Sequence, residues 1–590
     1  MALRLITGRS GQGKTEYLVQ EVIRLSMENP QQKYYVIVPE QFSLEMQRKM
    51  VKKHPRHGFF NIDVLSFHRL AYRIFDECGY QPGEILEDLG VSMMLRKILS
   101  EGENNFLYFK KSMKKAGFID ELKSMLMEFI GYGVTWEQVE EVSEKLGENK
   151  ALSNKCKELG RIYEHFDKAI EGRFMVTEQI LDVAREFAKE APMLTNAVFY
   201  FDGFAGFTPV QLAFLRELLK VAGQINVTIT IPEFVPGQRG KPEDLFTSSK
   251  KTGDALLMLC QENMQEVEEV VKLDTPVSPR FINNPELAFL EKNLFQNSRK
   301  IYSKKIERIH MTVCHNPDGE ADYVMHKIEQ LVRQKGYRYR DFAVLSGDVA
   351  DYASAFKRKA AILNIPVFED TKKKVSYHSG VEAVRSLFHL AQMEYSYESV
   401  FRYLKSGMSN LIDEDADYLE NYVLYAGVRG YSMWKKPFYR RLKNKDEAAI
   451  KALLLLQEKF MEETENFCSV MRDKEASVRD KIEVLYHTMV KLSFEEKLKN
   501  QAQKAEENSD FVKAAEYRQL YDLLLSLMDK IVMIFGEEKM AVKELAEIVD
   551  AGLDALGLGV VPLTMDQVVL GDLKRTRLHE VKVLFITGMN

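Results

Sequence analysis

The feature that most constrains this chain lies at its start. An apolar run at residues 3–7 meets Gly8-Arg9-Ser10-Gly11-Gln12-Gly13-Lys14-Thr15, a complete G-x-x-x-x-G-K-[ST] phosphate-binding loop. Glycines let the backbone wrap close to phosphate oxygens with its N–H groups pointing inward. In such a loop Lys14 reaches the β- and γ-phosphates, and the Thr15 hydroxyl ligates Mg²⁺. The chemistry requires a strand before the loop and a helix after it. Tyr17, Leu18, Val22, Ile23 and Leu25 supply the helical apolar spacing. Apolar runs at 34–39 and 62–67 follow as strands, so the order strand, glycine loop, helix, strand predicts an α/β fold with a parallel sheet.

At 590 residues the chain is too long for one core and implies about three to five modules. Residues 84–190 are helical in texture. The sheet resumes at 197–204, a helix follows Thr208-Pro209, and 225–232 reads as a strand. Residues 236–279 read as loops with a short helix. A second α/β block begins with a strand at 307–314, a helix at 320–336 and strands at 342–347 and 364–370. Residues 381–550 are again helical, and 566–590 supply two more strands. The predicted domains are therefore 1–83 with 191–290, carrying a helical insertion at 84–190, and 300–380 with 555–590, carrying another at 381–554. The last residues, LFITGMN, read as a buried strand with nothing after it, which suggests a fragment of a longer protein.

A net charge of -5 argues against a basic coat over the whole surface, while leaving room for a local basic groove. Cys78, Cys156, Cys260, Cys314 and Cys468 show no C-x-x-C spacing, which disfavours a zinc site or disulfide framework and suits reduced thiols in the cytoplasm. The start lacks a signal-peptide pattern, and no apolar run reaches the roughly 18–20 residues that span a bilayer, so no membrane partner is expected.

A phosphate loop needs a second acid to hold the hydration shell of Mg²⁺, and Asp202, ending the apolar run AVFYFD, fits. The next residue is Gly203, where a hydrolysing motor carries a water-polarising glutamate. Pro39-Glu40-Gln41-Phe42-Ser43 and Ser66-Phe67-His68-Arg69 follow the second and third strands, at the sheet edge where ligands gather. Their aromatic, polar and cationic groups suit single-stranded nucleic acid. They equally suit capped helix starts with Phe42 and Phe67 as core anchors. Asp572, Lys574, Arg575, Thr576 and Arg577 form a basic cluster suited to phosphate contact or to a solvated turn. Residues 372–374, all lysine, read as a surface turn.

VPEQFSLEMQ, DVLSFHRLAYRIF, YFDGFAGFTPVQ, the GEADYV helix with RYRDFAVL, and DQVVLGDLKRTR before VLFITG together resemble the B-subunit family of bacterial AddAB helicase–nucleases. The resemblance covers essentially the whole chain. It implies two RecA-like parallel-sheet domains of the P-loop NTPase class, related to UvrD-like superfamily-one helicases. It also implies a heterodimer, formed with the family's A subunit, that processes double-strand DNA ends for recombinational repair, using ATP and Mg²⁺. The B subunit of this family binds the emerging single strand and helps recognise the Chi sequence. Gln41, Phe42, Ser66, Phe67, His68 and Arg69 match its strand-facing loops, with Arg575 and Arg577 as further DNA candidates. The family's nuclease domain and four-cysteine iron–sulfur staple belong to a carboxyl-terminal half that lies outside these 590 residues.

The departures matter equally. Besides Gly203, Ser346-Gly347 stands where active relatives place an arginine that reaches the γ-phosphate, and an arginine of this kind contributes about 10³–10⁵ in rate. A chain that binds ATP but hydrolyses it feebly is the expectation. An autonomous ATP-driven translocase, or a P-loop enzyme that does not act on DNA, such as a small-molecule kinase, are the competing readings.

Overall fold

The computed structural model describes residues 2–101, 106, 108–113, 115, 117–146, 150–238, 240, 244–294, 300–369, 373–375, 378–438, 446–508, 510–558, 566–573, 576, 578 and 581–589. The chain divides into two compact units, Met1–Glu87 with Phe106–Met311, and Asp88–Asn105 with Thr312–Asn590. Both contain parallel sheets and many helices, which makes the protein α/β.

In chain order the strands of the first unit are β1 (Ala2–Gly8), β2 (Tyr34–Ile37), β3 (Ile62–Leu65), β4 (Glu84–Leu86), β5 (Phe174–Val176), β6 (Val198–Phe201), β7 (Gln224–Thr230), β8 (Glu266–Val267) and β9 (Val271–Lys272). β4 and β5 pair only with each other. The other seven form one parallel sheet in the order β3-β2-β6-β7-β1, with β8 and β9 both on the outer edge of β1. Helices α1 (Lys14–Glu28), α2 (Ser43–Lys53) and α3 (Phe67–Cys78) return the chain between strands.

Because helices cover both faces, the strands read as continuous apolar runs such as YYVI and VFYF. Successive side chains on β6 point to opposite faces. Phe199 and Phe201 enter the core shared with Phe67, Leu70 and Phe214, whereas Tyr200 joins Leu18, Val22, Val36 and Met50 beneath α1 and α2. The helix Pro209–Val221 starts where Thr208-Pro209 predicts, through a capping box in which Thr208 and Gln211 satisfy each other's backbone N–H groups.

The second unit holds β10 (Phe342–Ser346), β11 (Val367–Glu369), β12 (Lys373–Lys374), β13 (Gly557–Leu558), β14 (Val568–Asp572) and β15 (Val583–Thr587). Four of them make a parallel sheet in the order β11-β14-β10-β15, and β12 pairs antiparallel with β13. A long helical section runs from Ser379–Gln392 to Val542–Ala555. The helix Asp88–Glu101 belongs to this unit, where it packs against Val542–Ala555.

Several local expectations are corrected. Residues 307–314 form no strand, and Met311 and Val313 are almost fully exposed. Their apolar alternation has no ladder partner among the described residues, and the N–H groups of Glu307 and Arg308 are instead taken by the Glu286 carboxylate at 2.9 and 2.8 Å. Residues 236–279 hold a sixteen-residue helix, Thr247–Glu262, and the two short strands β8 and β9. The third apolar run ends as a strand at Leu65, since Ser66 caps α3 and Phe67 begins it. Lys373 and Lys374 form a strand rather than a turn. β15 is an edge strand whose Leu584 and Ile586 are exposed. Among the described residues no helix is long and apolar enough to cross a membrane. The five cysteines are unpaired.

Candidate nucleotide-binding site

In a parallel sheet the carboxyl ends of all strands open on one edge, and the first unit gathers its chemistry there. Gly8 ends β1, and the loop turns through Gly11 (φ 77°) and Gly13 (φ 86°), left-handed positions that favour glycine. Gly13 then caps α1, so the N–H groups of the first turn face the loop. The Lys14 amine folds back onto the loop, donating to the carbonyls of Gly8 at 2.9 Å and Arg9 at 3.0 Å. Burial is the main cause that brings its pKa down to about 8, with Arg280 adding to the effect and Asp202 and Glu291 opposing it.

Asp202 follows β6 and is 5% exposed. Thr15 donates its hydroxyl to Oδ2 at 2.7 Å, and Thr228 of β7 donates to Oδ1 at 2.6 Å. The carboxylate is thus fixed by one hydroxyl from the phosphate loop and one from the strand lying between β1 and β6. Gly203 has φ 82°, and a side chain there would start 3.5 Å from Pro39 Cδ and 4.0 Å from Phe42 Cδ2. The missing acid is therefore accompanied by a backbone conformation that an L-residue enters only with strain.

The candidate DNA loops are brought side by side by the pairing of β2 with β3. His68 Nδ1 lies 3.7 Å from Glu40 Oε2. Gln41 and Arg69 are exposed. Ser66 is buried, its Oγ accepting the Arg69 N–H at 3.3 Å, and Phe67 is 6% exposed among Phe201, Phe204, Phe207 and Phe214. Phe42 is half-buried against the core under α1 and α2. Arg575 and Arg577, with Lys574, lie outside the described residues. In the same cluster Thr576 is buried, and its Oγ1 accepts the Asp572 N–H at 2.9 Å.

Several site residues carry no motif. Thr228 is one, and its signal is positional: Phe201 pairs with Val227, so Thr228 stands level with Asp202. Residues 273–280 are the others. Leu273 donates its N–H to Thr7 at 2.8 Å, and Thr275 binds Gln12 through its N–H (3.1 Å), hydroxyl (2.6 Å) and carbonyl (3.3 Å). Gln12 is thereby held by a segment 263 residues away in sequence.

With this geometry in hand, residues 5–291 match the family described as ADDB, N-terminal. The matched part of the chain belongs to this family. Its whole length is 32% identical to the B subunit of the ATP-dependent helicase/deoxyribonuclease of Lachnoclostridium phytofermentans and to that of Thermoanaerobacter sp., and 30% identical to that of Clostridium botulinum. In each case the match covers 100% of this chain and 52% of the relative. The chain spans about half the length of the curated relatives it matches.

Proposed function

We propose that the first unit is a RecA-like domain that binds ATP with Mg²⁺, in the helicase-like B subunit of a heterodimeric helicase–nuclease that processes double-strand DNA breaks for recombinational repair. The observation that carries the nucleotide reading is the 2.7 Å hydrogen bond from Thr15 to Asp202. It joins the two groups that hold Mg²⁺ in P-loop proteins, 187 residues apart in sequence. Mg²⁺ is bound with few protein ligands, substrate phosphates and waters completing its shell. Two such groups therefore suffice, although among the described residues no set of three or more His, Cys, Asp or Glu side chains is grouped for a metal. Lys14 and the loop N–H groups would hold the phosphates. The bound nucleotide would supply phosphoryl-transfer potential.

Gly203 supports a chain that holds ATP with little or no motor activity of its own, its partner in the heterodimer being the family's A subunit. On this reading Gln41, His68 and Arg69 face single-stranded DNA and contribute to recognising Chi, with Phe42 beside them and Ser66 and Phe67 shaping the loop from within. On the same reading, a nuclease domain and its iron–sulfur cluster would lie in the part of the relatives' length that this chain does not match.

Binding of a fluorescent ATP analogue with Mg²⁺ to the 590-residue chain and to Lys14→Ala tests the nucleotide site. Wild type is expected to bind and the variant to lose binding; equal binding overturns the reading. DNA-stimulated ATP hydrolysis by this chain alone would instead favour an autonomous translocase, and an absence of salt-sensitive oligonucleotide binding would favour a P-loop enzyme that does not act on DNA.

A further inference from the structure

Residues 273–280 form a strap packed against the phosphate loop. Its approach is close throughout: a Cβ on Gly8 would meet the Leu273 carbonyl at 2.8 Å, and a Cβ on Gly11 would meet Ser278 Oγ at 2.6 Å and Arg280 Cβ at 2.9 Å. The Arg280 N–H points to the Gly11 carbonyl at 3.4 Å. Thr275, as described, fastens the strap to Gln12.

Two side chains of the strap have no structural employment. Ser278 is 5% exposed, yet its Oγ has no hydrogen-bond partner among the described residues. It precedes the short 3₁₀ turn Pro279–Phe281, but its hydroxyl does not cap that turn. A buried hydroxyl is rarely left unpaired, and here it faces the middle of a loop built to surround phosphate. Arg280, two residues on, is exposed and makes no ion pair among the described residues. Its charge is felt at the Lys14 amine. A hydroxyl donor and an arginine thus both pack against Gly11, in the loop whose lysine would serve the outermost phosphates.

We propose that Ser278 and Arg280 contact the terminal phosphate of a bound nucleoside triphosphate, so that the strap distinguishes triphosphate from diphosphate. This rests on the phosphate-loop reading and adds to it a cation from the same unit. The strap arginine binds charge without an acid to polarise water, which suits a site that senses the γ-phosphate rather than cleaving it.

The test compares Mg²⁺-dependent binding of a non-hydrolysable ATP analogue and of ADP to wild type, Ser278→Ala, Arg280→Ala, Arg280→Lys and Lys14→Ala, each checked for an unchanged thermal transition. Arg280→Ala is expected to weaken the triphosphate by roughly tenfold or more and ADP by less than about threefold. Ser278→Ala should shift the same ratio by a smaller factor, and Arg280→Lys should recover part of the loss. Lys14→Ala should weaken both ligands. If the strap variants leave the triphosphate-to-diphosphate ratio unchanged while Lys14→Ala abolishes binding, the strap inference fails and the phosphate-loop reading stands. If Lys14→Ala leaves both affinities intact, the phosphate-loop reading itself fails.

Discussion

Thr228 Oγ1 donates to Asp202 Oδ1 at 2.6 Å inside the sheet, so the acid at the candidate nucleotide site is oriented by the strand beside it as well as by Thr15. Thr228→Val keeps the shape and removes the donor, leaving a buried carboxylate oxygen unpaired. A loss of about 1–3 kcal/mol in urea unfolding is expected. The same variant should raise the Mg²⁺ concentration needed for half-maximal nucleotide binding. An unchanged Mg²⁺ titration would show that Asp202 is held by Thr15 alone.

If the proposed site binds a nucleotide, Lys14 gives that affinity a defined pH dependence. Its pKa of about 8 in the free protein rises when phosphate charge arrives, so binding takes up a proton wherever the free lysine is neutral. The lysine's contribution is complete below pH 8 and fades as pH climbs toward the higher value of the bound state. Titration calorimetry between about pH 7.5 and 9.5 should show affinity falling with pH, and Lys14→Arg, charged throughout, should flatten the curve.

Gly203→Ala and Gly203→Glu should both destabilise the protein, by about 1–2 kcal/mol for the backbone conformation alone. Gly203→Glu is expected to bring no DNA-stimulated ATP hydrolysis, because the left-handed turn at φ 82° strains any side chain placed there. Phosphate release in the presence of oligonucleotide is the measurement.

The candidate DNA loops contain two kinds of residue, and mutation should separate them. Arg69→Ala and Gln41→Ala, at exposed positions, should weaken oligonucleotide binding without moving the thermal transition, and Arg69→Ala should also lower the slope of affinity against salt. Phe67→Ala should instead cost about 3–5 kcal/mol of stability through the cavity it opens among four neighbouring rings. If Arg69→Ala bound single strands as wild type does, that loop would not face the DNA.

What could be seen in the sequence was what is local. The β1–loop–α1 unit is contiguous, and every strand of four or more residues announces itself as an apolar run, so the parallel α/β organisation was legible. Asp202 was visible because it ends such a run. Thr228, Thr275, Ser278 and Arg280 were not, since each reaches the loop through the folding of distant segments, and β8 and β9 are two residues long and exposed enough to leave no pattern. The segment 307–314 misled in the opposite sense. Alternation states a capacity to pair, and here Glu286 claims the backbone instead. Phe67 carried two meanings that composition could not separate; its 6% exposure places it in the core.

Gly203 has a further consequence for how this protein can change. Its difference from a hydrolysing site is written in the main chain, at φ 82°, with a proline ring against the vacant side. A single codon change can introduce a glutamate but cannot re-lay the turn that must present it.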